Sequence, residues 1–181
     1  MAYDITILIR QAKAGDAGAF GTLYESMARD LYRFALYSLG SEPAAQDAVQ
    51  EAVLSAFRGI AALRSDEAFR PWMFRILRNA CRKSLRRGYA VRGTESLEER
   101  FIEVAAADPP LGRALELRQA IAALPEGTRE IVLMHVLEGY DSREIGRMLG
   151  CPPGTVRARL SRAMAKLRKE LDEHEEIICA G

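Results

Sequence analysis

Thr155, Arg157, Arg159, Arg162 and Lys166 fall within twelve positions of one another, with no carboxylate between Val156 and Lys169. Guanidinium forks at such spacing suit phosphate oxygens or a base edge, and an ammonium suits a phosphate alone. A second cationic set, Arg75, Arg78, Asn79, Arg82, Lys83 and Arg86, follows Trp72. Arginines beside an aromatic ring suit single-stranded or opened DNA, where bases stack while phosphates are neutralised; Trp72 is equally readable as core. A third set is acidic: Asp47, Gln50, Glu51 and Leu54 follow at i, i+3, i+4 and i+7, a compact polar patch with an apolar neighbour. Such a patch could dock a protein, and it also describes an ordinary solvated helix face. Nothing points to covalent chemistry. No paired carboxylates, metal-ligand spacing or nucleophile elbow occurs, and His135 has no telling Ser, Cys or Asp partner, so packing is its expected role. Neither an enzyme nor a cofactor is expected.

The first set must be positioned by two helices joined by a tight turn. Asp141 with Glu144 has the form of a capping pair, and Ile145, Met148 and Leu149 supply an apolar stripe before Gly150. A glycine there can close the helix, and Pro152 and Pro153 suit the first turn of the next. On that second helix Val156, Leu160, Ala163, Met164, Leu167 and Leu171 share an apolar sector. Opposite lie Thr155, Ala158, Arg159, Arg162, Lys166 and Lys169, flanked by Arg157 and Arg168. This is a helix-turn-helix pattern, whose second helix enters a major groove; a helical hairpin with a charged outer face fits the same residues.

Upstream, the periodicity predicts a short helix over 4–14, then a long one from the cap Asp16 to about Leu39, with Phe20, Leu23, Tyr24, Met27, Leu31, Phe34 and Ala35 inward. Ser41 caps a helix over 44–60 that carries Pro43 in its first turn and the acidic patch on one side. Residues 61–68 break the period, and a basic helix covers 69–87. Residues 88–110 lose periodicity and gain acids, reading as a linker with at most one helical turn at 97–104. Helices over 111–124 and 126–137 follow, interrupted at Pro125.

With 181 residues, 49% hydrophobic, the chain can bury one sizeable core or two small ones. Its net charge of +1 is unevenly distributed: eight Lys or Arg and no acid lie between Arg70 and Arg92, six and none between Arg157 and Lys169. Acids gather at 94–113 and in 172–176. Basic stripes bounded by acidic segments are a footprint for a polyanion. Cys81, Cys151 and Cys179 form neither a disulfide framework nor a zinc site. With no leader-like or membrane-spanning apolar run, a soluble cytoplasmic protein is expected.

The stretches Ala-Leu-Pro-Glu-Gly-Thr-Arg-Glu-Ile-Val-Leu-Met-His-Val-Leu-Glu-Gly-Tyr and Arg-Glu-Ile-Gly-Arg-Met-Leu-Gly-Cys-Pro-Pro-Gly-Thr-Val-Arg-Ala-Arg-Leu-Ser-Arg-Ala are similar to region 4 of the extracytoplasmic-function sigma factors. Ala-Gly-Asp-Ala-Gly-Ala-Phe, Asp47-Ala-Val-Gln-Glu51 and Phe-Arg-Pro-Trp-Met-Phe-Arg-Ile-Leu-Arg-Asn resemble region 2 of the same family. The resemblance implies an all-α fold of two small helical domains: region 2 at 1–92, a flexible linker at 93–113, region 4 at 114–174 and a tail at 175–181. It implies that Asp47, Gln50, Glu51 and Leu54 dock on the largest subunit of core RNA polymerase. The loop 61–68 and the face of Trp72, Arg75, Arg78, Asn79, Arg82, Lys83 and Arg86 would capture the opened minus-ten strand of promoter DNA. Thr155, Arg157, Arg159, Arg162 and Lys166 would bind the minus-thirty-five element. An anti-sigma partner is implied, and a monomer when no partner is bound. Lys83 replaces the family's usual acid and Ala158 a frequent serine, so promoter preference is expected to differ. The alternative is a sigma-like decoy that sequesters an anti-sigma factor without touching DNA; such mimics can lose the basic faces that this chain keeps.

Overall fold

The structure, a computed structural model, describes residues 5–92 and 112–179. Among the described residues the α-helices follow in the order α1 (Ile5–Lys13), α2 (Ala17–Glu25), α3 (Ala28–Leu39), α4 (Glu42–Gly59), α5 (Phe69–Arg92), α6 (Gly112–Ala122), α7 (Glu126–Glu138), α8 (Ser142–Leu149) and α9 (Pro153–Cys179). Two 3₁₀ turns, Ile60–Ala62 and Asp66–Ala68, occupy the aperiodic stretch before α5.

Local chemistry accounts for most boundaries. Asp16 caps α2 by accepting from the Ala19 amide at 3.0 Å, and Gly40 ends α3 at φ 61°, where a side chain would be strained. One expectation is corrected. The single long helix from Asp16 to Leu39 is two, because the chain departs from helix at Ser26 and Met27. The Ser26 hydroxyl donates to the Leu23 carbonyl at 2.7 Å, the kind of local bond that competes with the helical ladder. Met27 adopts φ −132° and is buried at 3% exposure.

Helix α5 runs past Arg87 to Arg92, so residues 88–92, expected in the linker, are helical. Helix α9 likewise extends to Cys179, taking in most of the expected tail. The helical turn expected at 97–104 lies outside the described residues.

The N-terminal group α1–α5 and the C-terminal group α6–α9 share one continuous core. Helix α4 lies along both α3 and α5, and α3 also packs against α6 and α7. An aromatic series crosses the join: Phe74 of α5 meets Phe34 of α3 edge-on at 5.7 Å and Tyr140, after α7, edge-on at 6.2 Å. Phe34 and Phe74 are fully buried. The two helical groups are therefore packed face to face over that core.

Candidate nucleic-acid and protein interfaces

The α8–α9 hairpin is built by its caps. Asp141 accepts from the amides of Arg143 and Glu144 at 2.7 and 2.8 Å, and the Glu144 carboxylate accepts from the Asp141 amide at 2.8 Å. These backbone bonds hold the Asp141 carboxyl below its ordinary pKa. Gly150 takes φ 67°, and the Cys151 amide then reaches the Gly146 carbonyl at 2.9 Å. Gly146 lies against that turn so closely that a Cβ would sit 2.7 Å from the Cys151 carbonyl oxygen. Its role had no sequence signal beyond the glycine itself. Val156, Ala163 and Leu167 pack inward. Arg157, Arg159, Arg162 and Lys166 are exposed along α9, with Thr155 half-buried at its start. Among the described residues the anion beside this face is Glu170, 3.4 Å from Lys166.

On α4, Asp47, Gln50 and Leu54 are exposed, Leu54 at 56%. Glu51, between them, binds Lys83 of α5 and lies 3.9 Å from Arg87. The acidic patch thus touches the basic helix behind it, through a half-exposed pair worth at most about 1 kcal/mol.

The second cationic set divides. Arg75, Asn79, Lys83 and Arg86 are exposed. Trp72 is half-buried, its ring 6.2 Å from that of Phe69, and with Arg75, Leu63, Arg64 and Ser65, and Arg147 and Met148 of α8, it lines an open cleft of about 490 Å³. Arg78 and Arg82 point elsewhere. Arg78 donates to Glu130 at 2.9 Å, the side chains 14% and 7% exposed, and Arg82 donates to Glu126 at 2.7 Å with Glu130 at 3.6 Å. Arg70 reaches Glu138 at 2.5 Å and Asp30 at 2.8 Å, and stacks over Phe74 with 5.6 Å to the ring centre. Hydrogen bonding to Glu126 raises the pKa of Arg82. Burial pushes the Glu138 carboxyl up despite Arg70. Burial, with Glu130 nearby, pushes the Cys81 thiol up to about 12. The α7 glutamates were not singled out in the sequence, because a lone glutamate on a helix looks solvated until its partner helix is placed.

His135 is exposed, its Nδ1 3.0 Å from the Tyr140 carbonyl, so it belongs to a helix end rather than to the core. Among the described residues no cluster of His, Cys, Asp or Glu could hold a metal ion, and no helix is long and apolar enough to cross a membrane.

A helical bundle carrying an acidic patch and a basic helix, followed by a helix-turn-helix with an exposed cationic face, defines a transcription factor of the sigma-70 class. The family model Sigma-70 region 2 matches residues 23–90, and Sigma-70, region 4 matches 114–167. The chain is 37% identical to the ECF RNA polymerase sigma factor SigM of Mycobacterium tuberculosis, covering 87% of this chain and 80% of that one. It is 31% identical to the ECF RNA polymerase sigma-E factor of Escherichia coli, with 87% and 88% covered. Among solved structures, CnrH in complex with the cytosolic domain of CnrY matches with a TM-score of 0.72 at 27% identity over 92% of this chain and 96% of that one. The sigma factor RpoE in complex with the anti-sigma factor NepR from Bartonella quintana shares the fold, at a TM-score of 0.69 and 20% identity over 84% of this chain and 96% of that one. The chain belongs to the ECF RNA polymerase sigma factors, which are initiation factors and not enzymes.

Proposed function

We propose that this chain binds core RNA polymerase through Asp47, Gln50, Glu51 and Leu54, and then directs promoter recognition, DNA melting and the start of transcription. In this reading residues 1–92 form the region 2 domain and 114–174 the region 4 domain, with 93–113 between them. Thr155, Arg157, Arg159, Arg162 and Lys166 bind the minus-thirty-five duplex: arginines bidentate to base edges discriminate sequence, while Lys166 on a phosphate adds affinity only. Trp72, Arg75, Asn79, Lys83 and Arg86 meet the minus-ten strand, Arg78 and Arg82 join them only on leaving Glu130 and Glu126, and the cleft beside Trp72 can receive a base leaving the stack, a step that costs a few kcal/mol. An anti-sigma factor restrains the chain, a role supported by the complex that the similarly folded RpoE forms with NepR.

The observation that carries this reading is the exposure of the α9 cations together with an accessible acidic patch on α4. A decoy needs no such cationic surface, which is why the sigma reading is preferred. Reconstitution tests it. The purified chain added to core polymerase should be retained and should start transcription from a cognate promoter, and Asp47→Arg or Glu51→Arg should weaken retention with an unchanged circular dichroism spectrum. Failure of the wild-type chain to associate with core polymerase would overturn it.

A further inference from the structure

The aperiodic stretch before α5 is held by a side chain from the first helix. Lys13, the last residue of α1, donates from Nζ to Asp66 Oδ1 at 2.6 Å, across 53 residues of sequence, with the two side chains 25% and 31% exposed. Its root is rigid. Leu8, Ile9 and Ala12 seat α1 in the core, and the carbonyl end of a helix favours a cation. Asp66 opens the second 3₁₀ turn, directly after the extended Ser65, and α1 also packs against the first turn, Ile60–Ala62. Within the loop, the Leu63 side chain is buried. Two turn bonds, from the Leu63 amide to the Ile60 carbonyl and from the Ala68 amide to the Ser65 carbonyl, tie the loop only to itself.

The same loop contributes Leu63, Arg64 and Ser65 to the cleft that Trp72 and Arg75 of α5 also line. The Trp72 side is set by packing, since its ring lies beside Phe69 and a Cβ on Gly59 would meet it at 3.5 Å. The loop side depends on what holds Asp66. We propose that Lys13 is a positioning residue for this cleft: its bond to Asp66 keeps Arg64 and Ser65 in place beside Trp72, so that a base leaving the stack meets a formed site. The inference rests on the reading of the cleft as the minus-ten base site. Ordering a loop at the moment of binding costs affinity, and a loop ordered beforehand avoids that loss. Lys13 lies outside residues 23–90, which the region 2 model matches, so α1 belongs to the base site although it precedes the matched segment.

The test titrates core RNA polymerase carrying the wild-type chain or a variant with two fluorescent 20-mers, followed by anisotropy. One is a single strand of mixed sequence, and the other is an abasic strand of the same length. Their phosphates match, so the ratio of the two affinities reads base capture and is insensitive to a general loss of stability or a change in net charge. Lys13→Gln should lower the ratio roughly three- to fivefold, the ceiling for a partly exposed pair, and Lys13→Arg should keep it. Asp66→Ala should lower it equally, and it reports from the loop side should Lys13→Gln fail to fold. Trypsin reads the tether without DNA: cleavage after the exposed Arg64 should quicken in Lys13→Gln. A wild-type ratio near one refutes the reading of the cleft, and the positioning role with it. A wild-type preference for bases that both Lys13→Gln and Asp66→Ala retain overturns the positioning role alone, and so does unchanged cleavage at Arg64.

Discussion

Arg129 of α7 donates to three carbonyls at the end of the preceding helix, Ile121 at 3.1 Å, Ala122 at 2.5 Å and Leu124 at 2.7 Å, and is buried at 5% exposure in doing so. A basic residue in a DNA-binding domain is here a structural clasp. Pro125 keeps the chain from continuing α6 into α7, and one planar fork satisfies the carbonyls that the interruption orphans.

Arg129→Ala should therefore destabilise the fold by about 3 kcal/mol, the scale of buried acceptors losing a charged donor. Arg129→Lys should recover little of it, since a point charge cannot reach three acceptors at once. Urea unfolding monitored by circular dichroism measures both. A near-neutral Arg129→Ala would mean that the clasp contributes nothing.

Gly146→Ala brings a Cβ to within 2.7 Å of the Cys151 carbonyl oxygen, and backbone cannot yield as a side-chain end does. A loss of roughly 1–3 kcal/mol is expected, together with weaker duplex binding because α9 is displaced relative to α8. Thermal melts and anisotropy on duplex DNA read the two effects. Gly154, with open space around it, is the matched control position.

The capping carboxylate predicts a pH dependence. Asp141 has a folded pKa below its ordinary value, so the unfolded chain binds more protons in the window between the two. Its contribution is fully present above the unfolded value of about 3.9 and is lost as the pH falls through the folded one. Asp141→Asn keeps the cap's acceptor and removes the charge. Wild type should be the more stable near neutrality, and the difference in melting temperature should close on acidification. A difference independent of pH would exclude the charge as its source.

Arg159→Ala and Arg162→Ala should each lower affinity for duplex DNA and flatten the salt dependence by about 0.9 in log–log slope for each phosphate no longer neutralised. A loss confined to particular base substitutions, with the slope intact, would mark that arginine as a base reader instead. Unchanged affinity in both variants would remove α9 from DNA altogether.

Cys81 lies buried near Glu130 with its thiol pushed up to about 12, and only thiolate reacts readily. N-ethylmaleimide should label it far more slowly than the half-exposed Cys151, and labelling should quicken in Glu126→Gln/Glu130→Gln. Peptide mass spectrometry separates the two sites.

What the letters disclosed was whatever is decided within a turn or two of helix. The capping pair Asp141–Glu144, the stop at Gly150 and the start at Pro153 are local chemistry, and each lies where periodicity and propensity put it. The exposure of Arg159 and of the Asp47 patch follows from the same helical arithmetic. The break at Ser26–Met27 did not show, because the apolar stripe runs through it unbroken and the hydroxyl bond from Ser26 to the Leu23 carbonyl has no signature in the pattern. Nor did the fates of Arg78 and Arg82. Their partners lie 52 and 44 residues away, and the matching intervals on α5 and α7 gain meaning only when the helices are laid against each other.

Arg70, Arg78 and Arg82 stand eight and four residues apart on α5, and their partners Glu138, Glu130 and Glu126 stand at the same intervals in reverse on α7. Sliding α7 one helical turn along α5 in either direction would set a glutamate opposite Phe74 and Met134 opposite an arginine, a mismatch of polarity at two positions of the row. The pairing of Arg70, Arg78 and Arg82 with Glu138, Glu130 and Glu126 thus favours one register of α7 on α5 over its neighbours.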